Sequence, residues 1–291
     1  VFYSQGSHLY KKGTSDLALP DDRLAEAVAV AKRCDVTVLC LGLDATLEGE
    51  EGDTGNEYSS GDKNDLALPK CQQNLLDAVL KTGKPVVLVL SSGSALATKS
   101  GNALLQAWYP GQAGGTALAN LLFGSVSPSG RLPVTFYKGV DDLPEFTDYS
   151  MQNRTYRYFE GEPLYPFGYG LSYTKFKYTD ASYQSGALTV TVQNTGAMDA
   201  DEVVQVYLKD FDSPFAVKNH SLCAFKRVSI AAGQTQTVTL PIDAKAFHAI
   251  GDDGKPTSLG KRFSLFVGGS QPDACSVALM GQKPLEVHVG I

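Results

Sequence analysis

The sequence has 291 residues, of which 43% are hydrophobic and 19% are charged, so the chain is long and apolar enough for two domains with cores of their own. The formal net charge is −6, and the lack of a basic patch argues against nucleic acid and anionic membranes as partners. No apolar run reaches the roughly 18 residues that a membrane span needs.

The first 124 residues alternate between helical and strand patterns. Three segments carry apolar residues at helical spacing, and the last two end near Gly83 and Gly124: residues 22–33, 68–84 and 114–124. Three β-rich runs lie among them, and the first two are continuous enough to indicate strands covered on both faces: residues 35–43, 85–93 and 104–111. This alternation predicts a parallel sheet covered by helices, an α/β fold.

An acidic stretch directly follows the first predicted strand. Residues 42–53, GLDATLEGEEGD, contain five carboxylates: Asp44, Glu48, Glu50, Glu51 and Asp53. Ligands of parallel sheets bind beyond the carboxyl ends of the strands, and residues 91–93 and 108–111 fall at the same edge. Crowded carboxylates disfavour ionisation of one another, so a group in this stretch is suited to hold a proton near neutral pH.

From about residue 171 the pattern changes to short runs of β-forming residues separated by Gly, Asn and Asp turns, with no helical spacing. Seven or so strands over roughly 120 residues predict an antiparallel β-sandwich of immunoglobulin or fibronectin type. The intervening segment, residues 137–170, is rich in Tyr, Pro and Gly, and we expect an ordered connector because its aromatic density is too high for a flexible linker.

The five cysteines, at positions 34, 40, 71, 223 and 275, are scattered and show no CxxC spacing. We therefore expect buried free thiols, which favours a reducing, cytoplasmic compartment. The N-terminal residues carry neither a signal-peptide pattern nor an initiator Met, so we expect the chain to begin partway through a longer protein.

Several long motifs resemble glycoside hydrolase family 3, the β-glucosidase and β-xylosidase family. They are WYPGQAGGTALANLLFGSVSPSGRLPVTF (108–136), TYRYFEGEPLYPFGYGLSYTKF (155–176), VQNTGAMDADEVVQVYL (192–208) and AFKRVSIAAGQTQTVTL (224–240). The resemblance implies an (α/β)6 sandwich domain over residues 1–136, the connector over 137–170 and a fibronectin type III-like domain over 171–291. It implies a β-glycoside or oligosaccharide substrate, retention of configuration and no metal or organic cofactor.

The same resemblance divides the active site between two domains. The family's nucleophilic aspartate belongs to a (β/α)8 barrel, which we expect as a partner domain outside this chain. The family's acid/base motif matches Glu50, with Asp53 at the family's spacing and Glu48 at the place of a second acid in xylosidase-like members. Glu51 and Glu48 remain the alternatives, because residue 51 is a small residue in many family members and the stretch 54–61 is an insertion.

Other readings of these residues stay open. On composition alone, a Gly-rich acidic loop is most often a solvated turn, and the DxDxDG register of a calcium loop is absent. Trp108 could stack on a sugar ring, although core packing is the more frequent role. Arg131 is expected to form a structural ion pair. The whole chain could also be a non-catalytic module that binds carbohydrate or protein, and the sequence leaves a homo-oligomer open.

Overall fold

The computed structural model describes residues 1–10, 21–49, 63–98, 101–258 and 260–290. They divide into two compact units, one of residues 1–118 with 138–140 and the other of residues 119–137 with 141–291. The three domain ranges expected from the sequence stay a prediction. Within the described ranges, no helix has both the length and the apolar character to cross a membrane.

The first unit is built on a three-stranded parallel sheet in the order β1-β2-β3. Its elements in chain order are α1 (Leu24–Arg33), β1 (Thr37–Gly42), α2 (Lys70–Leu80), β2 (Val86–Ser91) and β3 (Ala103–Gln106), followed by α3 (Gly114–Leu122), which continues into the second unit. The six elements expected from periodicity are therefore present, each somewhat shorter than its sequence pattern.

The core of this unit lies between the strands and the apolar faces of α1 and α2. Leu88 and Leu90 of the middle strand pack with Leu75 and Leu76 of α2, all of them buried. The expectation that the first strand is covered on both faces is wrong for the described residues, because Val38 is 46% exposed and Cys40 is exposed. β1 is an edge strand, and the described helices cover only the residues that alternate with these two.

The second unit contains two antiparallel sheets, ordered β12-β11-β6-β7 and β4-β5-β8, with a short β9–β10 pair. Their elements, with the helices between them, are α4 (Thr155–Tyr158), β4 (Phe176–Gln184), β5 (Ala187–Asn194), β6 (Ala200–Asp210), β7 (Ser221–Ile230), β8 (Thr235–Pro241), β9 (Ala249–Ile250), β10 (Pro256–Thr257), β11 (Arg262–Gly268), α5 (Ala274–Met280) and β12 (Leu285–Gly290). In β5 buried and half-buried residues alternate strictly, and the buried set packs with β6, β8 and β11 in one core. The predicted all-β half is thus confirmed as a β-sandwich.

One helix in this half was not expected. The prediction that helical spacing is absent after residue 171 is wrong, since α5 begins where the Asp273 side chain accepts a hydrogen bond from the Ser276 amide (2.9 Å) and ends at Gly281, at φ 66°. Seven residues are too few to produce a recognisable period, whereas the Asp and Gly at its two ends are ordinary capping residues.

Half-buried polar and aromatic contacts order the connector and its surroundings within the second unit. The rings of Tyr156 and Phe167 stack with centroids 4.1 Å apart, and the Asn219 amide donates to the carbonyl oxygens of Tyr156 (3.0 Å) and Phe159 (2.9 Å). Arg131 forms the ion pair expected of it, since its Nη2 lies 2.7 Å from Oε2 of Glu202.

Candidate active site

The candidate site lies at the edge of the sheet where β1, β2 and β3 end. Close contacts there set the direction in which the chain leaves β1. Gly42 has φ 146°, and a Cβ at this position would overlap the carbonyl oxygen of Ser91 on β2. The side chain of Gln72, 2% exposed on α2, accepts a hydrogen bond from the Gly42 amide (2.7 Å) and donates one to the Gly42 carbonyl (2.6 Å). A glycine and a buried glutamine therefore set the direction in which the chain leaves the sheet.

A tight turn then carries the chain to Glu48. The Asp44 carboxylate accepts hydrogen bonds from the amide (2.9 Å) and the hydroxyl (2.6 Å) of Thr46, while its carbonyl oxygen accepts from the amides of Leu47 and Glu48, both at 3.0 Å. Leu47 is fully buried in the core. The local Asp–Thr pattern and one apolar anchor thus place Glu48 at the strand edge.

The Glu48 carboxylate is surrounded by donors. Its Oε2 accepts from the Gly93 amide (2.6 Å) and from the Tyr109 hydroxyl, and its Oε1 accepts from the amide (2.9 Å) and hydroxyl of Ser94. Burial alone would raise the pKa of this carboxyl, but the hydrogen bonds from Ser94, Tyr109 and Gly93 outweigh that effect and hold the pKa below its usual value. Glu48 is therefore ionised near neutral pH.

This carboxylate joins the exits of all three strands. Glu48 follows β1, Gly93 and Ser94 follow β2, and Tyr109 follows β3. A second link joins the exit of β2 to the end of β3, where the Ser92 hydroxyl donates to the Ser94 carbonyl (2.8 Å) and accepts from the side-chain amide of Gln106 (3.1 Å). Hydrogen bonds therefore connect the ends of all three strands, and the charged Glu48 carboxylate lies at the centre of this network.

Comparisons with known proteins identify the family to which this chain belongs. The glycosyl hydrolase family 3 C-terminal domain matches residues 5–173, more than half of the chain, and a fibronectin type III-like domain matches residues 202–271. The chain belongs to glycoside hydrolase family 3.

Curated relatives agree with this assignment. A xylan 1,4-β-xylosidase of Xylanibacter ruminicola is 43% identical over 234 residues, which cover 77% of this chain and 27% of the relative. A periplasmic β-glucosidase of Salmonella typhimurium is 33% identical over 286 residues, covering 90% and 36% respectively. This family 3 chain thus spans about a third of the length of the curated relatives it matches.

Solved structures show the same fold. The family 3 β-glucosidase of Bifidobacterium adolescentis matches with a TM-score of 0.80 and 31% identity, over 97% of this chain and 42% of that one. A β-glucosidase of Erythrobacter marinus matches with a TM-score of 0.79 and 30% identity, over 99% and 40%. The arrangement expected from the sequence, an α/β domain followed by a β-sandwich, is confirmed.

The structure of this family 3 chain places some of the expected site residues and leaves others aside. Glu50, Glu51 and Asp53 lie outside the described residues. Glu48 lies at the strand edge, as expected, and its carboxylate accepts hydrogen bonds from other residues of the protein. Trp108 is half-buried, directly before Tyr109, with φ 54°.

Sequence reasoning placed Gly93 and Tyr109 at this edge but did not pair them with Glu48, and it missed Ser94. The available signal was the chemistry of the two neighbouring strand exits, Ser-Gly-Ser (92–94) after β2 and Trp-Tyr-Pro-Gly (108–111) after β3, which bring hydroxyl groups and backbone amides to the edge. Lys63 is half-buried near these residues. Burial lowers the pKa of its amine, and the negative charges of Asp65 and Glu48 raise it by less.

The residues that the structure describes contain neither a disulfide nor a cluster of side chains suited to a metal ion. No group of three or more His, Cys, Asp or Glu side chains among them could hold a metal ion. The expectation that the cysteines are buried is wrong, since Cys40 is exposed and the other four are half-buried.

Proposed function

We propose that this chain is the part of a family 3 enzyme that supplies the general acid/base for hydrolysis of terminal β-linked glucosides or xylosides with retention. A (β/α)8 barrel outside this chain supplies the nucleophile. The observation that carries the proposal is the anchoring of the acidic stretch by Glu48 at the carboxyl edge of a family 3 α/β sheet. The names of the relatives, β-xylosidase and β-glucosidase, support the substrate class.

The proposed chemistry needs two carboxyl groups roughly 5–5.5 Å apart. The barrel aspartate attacks the anomeric carbon while Glu50 donates a proton to the departing glycosidic oxygen. In the second step Glu50 accepts a proton from water, which attacks the glycosyl–aspartate and releases the sugar with its original configuration.

The state of Glu48 supports Glu50 over Glu48 as the acid. A general acid must hold a proton at the working pH, whereas the donors around Glu48 favour its ionised form. A fixed negative charge at Glu48 also disfavours ionisation of a nearby carboxyl, which suits a proton donor two residues further along the chain.

The decisive experiment compares leaving groups in the full-length enzyme that contains this chain. We expect Glu50→Gln to lower kcat/KM for aryl β-glucosides or β-xylosides with poor leaving groups by about 10²- to 10⁴-fold, because those leaving groups depend on protonation. Substrates with good leaving groups need little protonation, so their first step stays near the wild-type rate.

Glu51→Gln is the matched control, since it removes the same charge from the neighbouring residue. If Glu51→Gln gives the leaving-group pattern and Glu50→Gln does not, the role belongs to Glu51. A full-length protein that hydrolyses none of these substrates would instead favour a non-catalytic module.

A further inference from the structure

Donors from the exits of β2 and β3 converge on the Glu48 carboxylate, which itself follows β1. A Cβ added to Gly93 would lie 3.1 Å from Cε2 of Tyr109 and 3.2 Å from Oε2 of Glu48, so a larger residue there would push these side chains by a few tenths of an ångström. The amides of Gly93 and Ser94 point at different oxygens of Glu48, which fixes the plane of the carboxylate as well as its position.

Tyr109 adds a hydrogen bond from the third strand exit. Gly93 and Ser94 tie Glu48 to one neighbouring strand, whereas the Tyr109 hydroxyl ties it to the exit of β3. Burial and the hydrogen bond to Glu48 raise the pKa of Tyr109, so the phenol keeps its proton and remains a donor. The contact is therefore a charge-assisted hydrogen bond, the stronger kind.

We propose that Glu48 and Tyr109 are positioning residues that hold the acid/base of this enzyme at its working distance from the glycosidic oxygen. This inference rests on the proposed function, in which the acid/base is Glu50, two residues after Glu48 in the acidic stretch. Two residues of chain span at most about 7 Å of backbone, so fixing Glu48 fixes one end of the short segment that leads to the proposed acid/base.

The hydrogen bonds to Glu48 from Gly93, Ser94 and Tyr109 affect the reaction rate, because proton transfer requires a defined geometry. Catalytic groups act when held within about 0.5 Å of the productive position, and a misplacement of about 1 Å can cost roughly 10²-fold. Loss of one of the donors to Glu48 loosens the start of the acidic stretch and leaves the nucleophile untouched. The defect is thus expected in the step that needs a proton, which separates positioning from general folding.

The test uses Tyr109→Phe in the full-length enzyme, assayed with aryl β-glycosides of poor and good leaving groups. We expect kcat for poor leaving groups to fall about tenfold with KM nearly unchanged, while the first step with good leaving groups stays near wild type. Tyr3→Phe removes the same hydroxyl from a side chain that is 84% exposed and serves as the matched control.

Two results would overturn the inference. One is wild-type rates of Tyr109→Phe on every substrate, and the other is an equal loss for poor and good leaving groups, which indicates a structural role only. If Tyr109→Phe does not fold, as judged by circular dichroism, Ser94→Ala decides in its place, because it removes one donor to Glu48 and keeps both amides. If either result is found while Glu50→Gln keeps its leaving-group pattern, the positioning role has failed and the proposed acid stands; if Glu50→Gln lacks that pattern, the proposed function itself has failed.

Discussion

Glu48 shows how neighbours decide the role of a carboxylate. Five acidic residues stand in ten positions of the sequence, and at one of them hydrogen bonds overcome the cost of burial, so this carboxyl is stabilised in its charged form. The donors lie 45, 46 and 61 residues away along the chain. Sequence reasoning could therefore place the acidic stretch at the strand edge but could not foresee what binds this member of it.

The depressed pKa of Glu48 makes a prediction about stability and pH. Because the folded pKa lies below the unfolded value, the stabilisation is fully present above the unfolded pKa of about 4.5 and is lost as the pH falls through the folded pKa. We expect Glu48→Gln to lower the free energy of unfolding by about 1 kcal/mol at pH 7, a modest value because the side chain is only half-buried.

Urea denaturation at pH 7 and at pH 3 checks this expectation, with Glu26→Gln on the exposed surface of α1 as a control of equal charge change. The gap between wild type and Glu48→Gln should shrink at pH 3. A gap of the same size at both pH values would mean that ionisation of Glu48 contributes nothing.

At the scale of elements, most of the fold was foreseeable because most elements have a clear period. The helical spacing of α1 and α2 and the continuous β-rich run of β2 predicted the sheet, and a short run of β-forming residues between turns predicted β5. The exceptions have physical causes. α5 is too short for a period, and the strand pattern of β4 is interrupted where its register with β5 shifts between Thr179 and Ser182.

The turn out of β1 depends on a single residue. We expect Gly42→Ala to destabilise the first unit by about 2 kcal/mol or more, since φ 146° is strained for any side chain and the new Cβ would overlap the Ser91 carbonyl. Gly115→Ala in α3 is the control, because nothing lies within 4 Å of a Cβ there, and it should be neutral or stabilising.

Thermal unfolding followed by circular dichroism compares the two glycine variants. If Gly42→Ala melts at the same temperature as wild type, the close approach of β1 and β2 at this position is not a constraint, and the description of the strand edge is wrong there.

At the scale of the whole molecule, the proposed division of the active site between this chain and a barrel makes a prediction of its own. It covers 27% and 36% of the two relatives described above, and retaining hydrolysis needs a second carboxylate at a fixed distance. We expect this chain alone to leave aryl β-glucosides and β-xylosides intact, while the full-length enzyme hydrolyses them. A rate of product release above background by purified residues 1–291 would show that the proposed division of the active site is wrong.

The central claim is that the proton of the reaction is handled by Glu50, and the product that Glu50→Gly forms in azide tests it most directly. Azide needs no general base, so it attacks the glycosyl–aspartate in place of water. With the full-length enzyme and an aryl β-glycoside that has a good leaving group, we expect azide to accelerate turnover and to yield the β-configured glycosyl azide. An α-configured azide would make Glu50 the nucleophile, and unchanged hydrolysis without any glycosyl azide would remove it from the reaction.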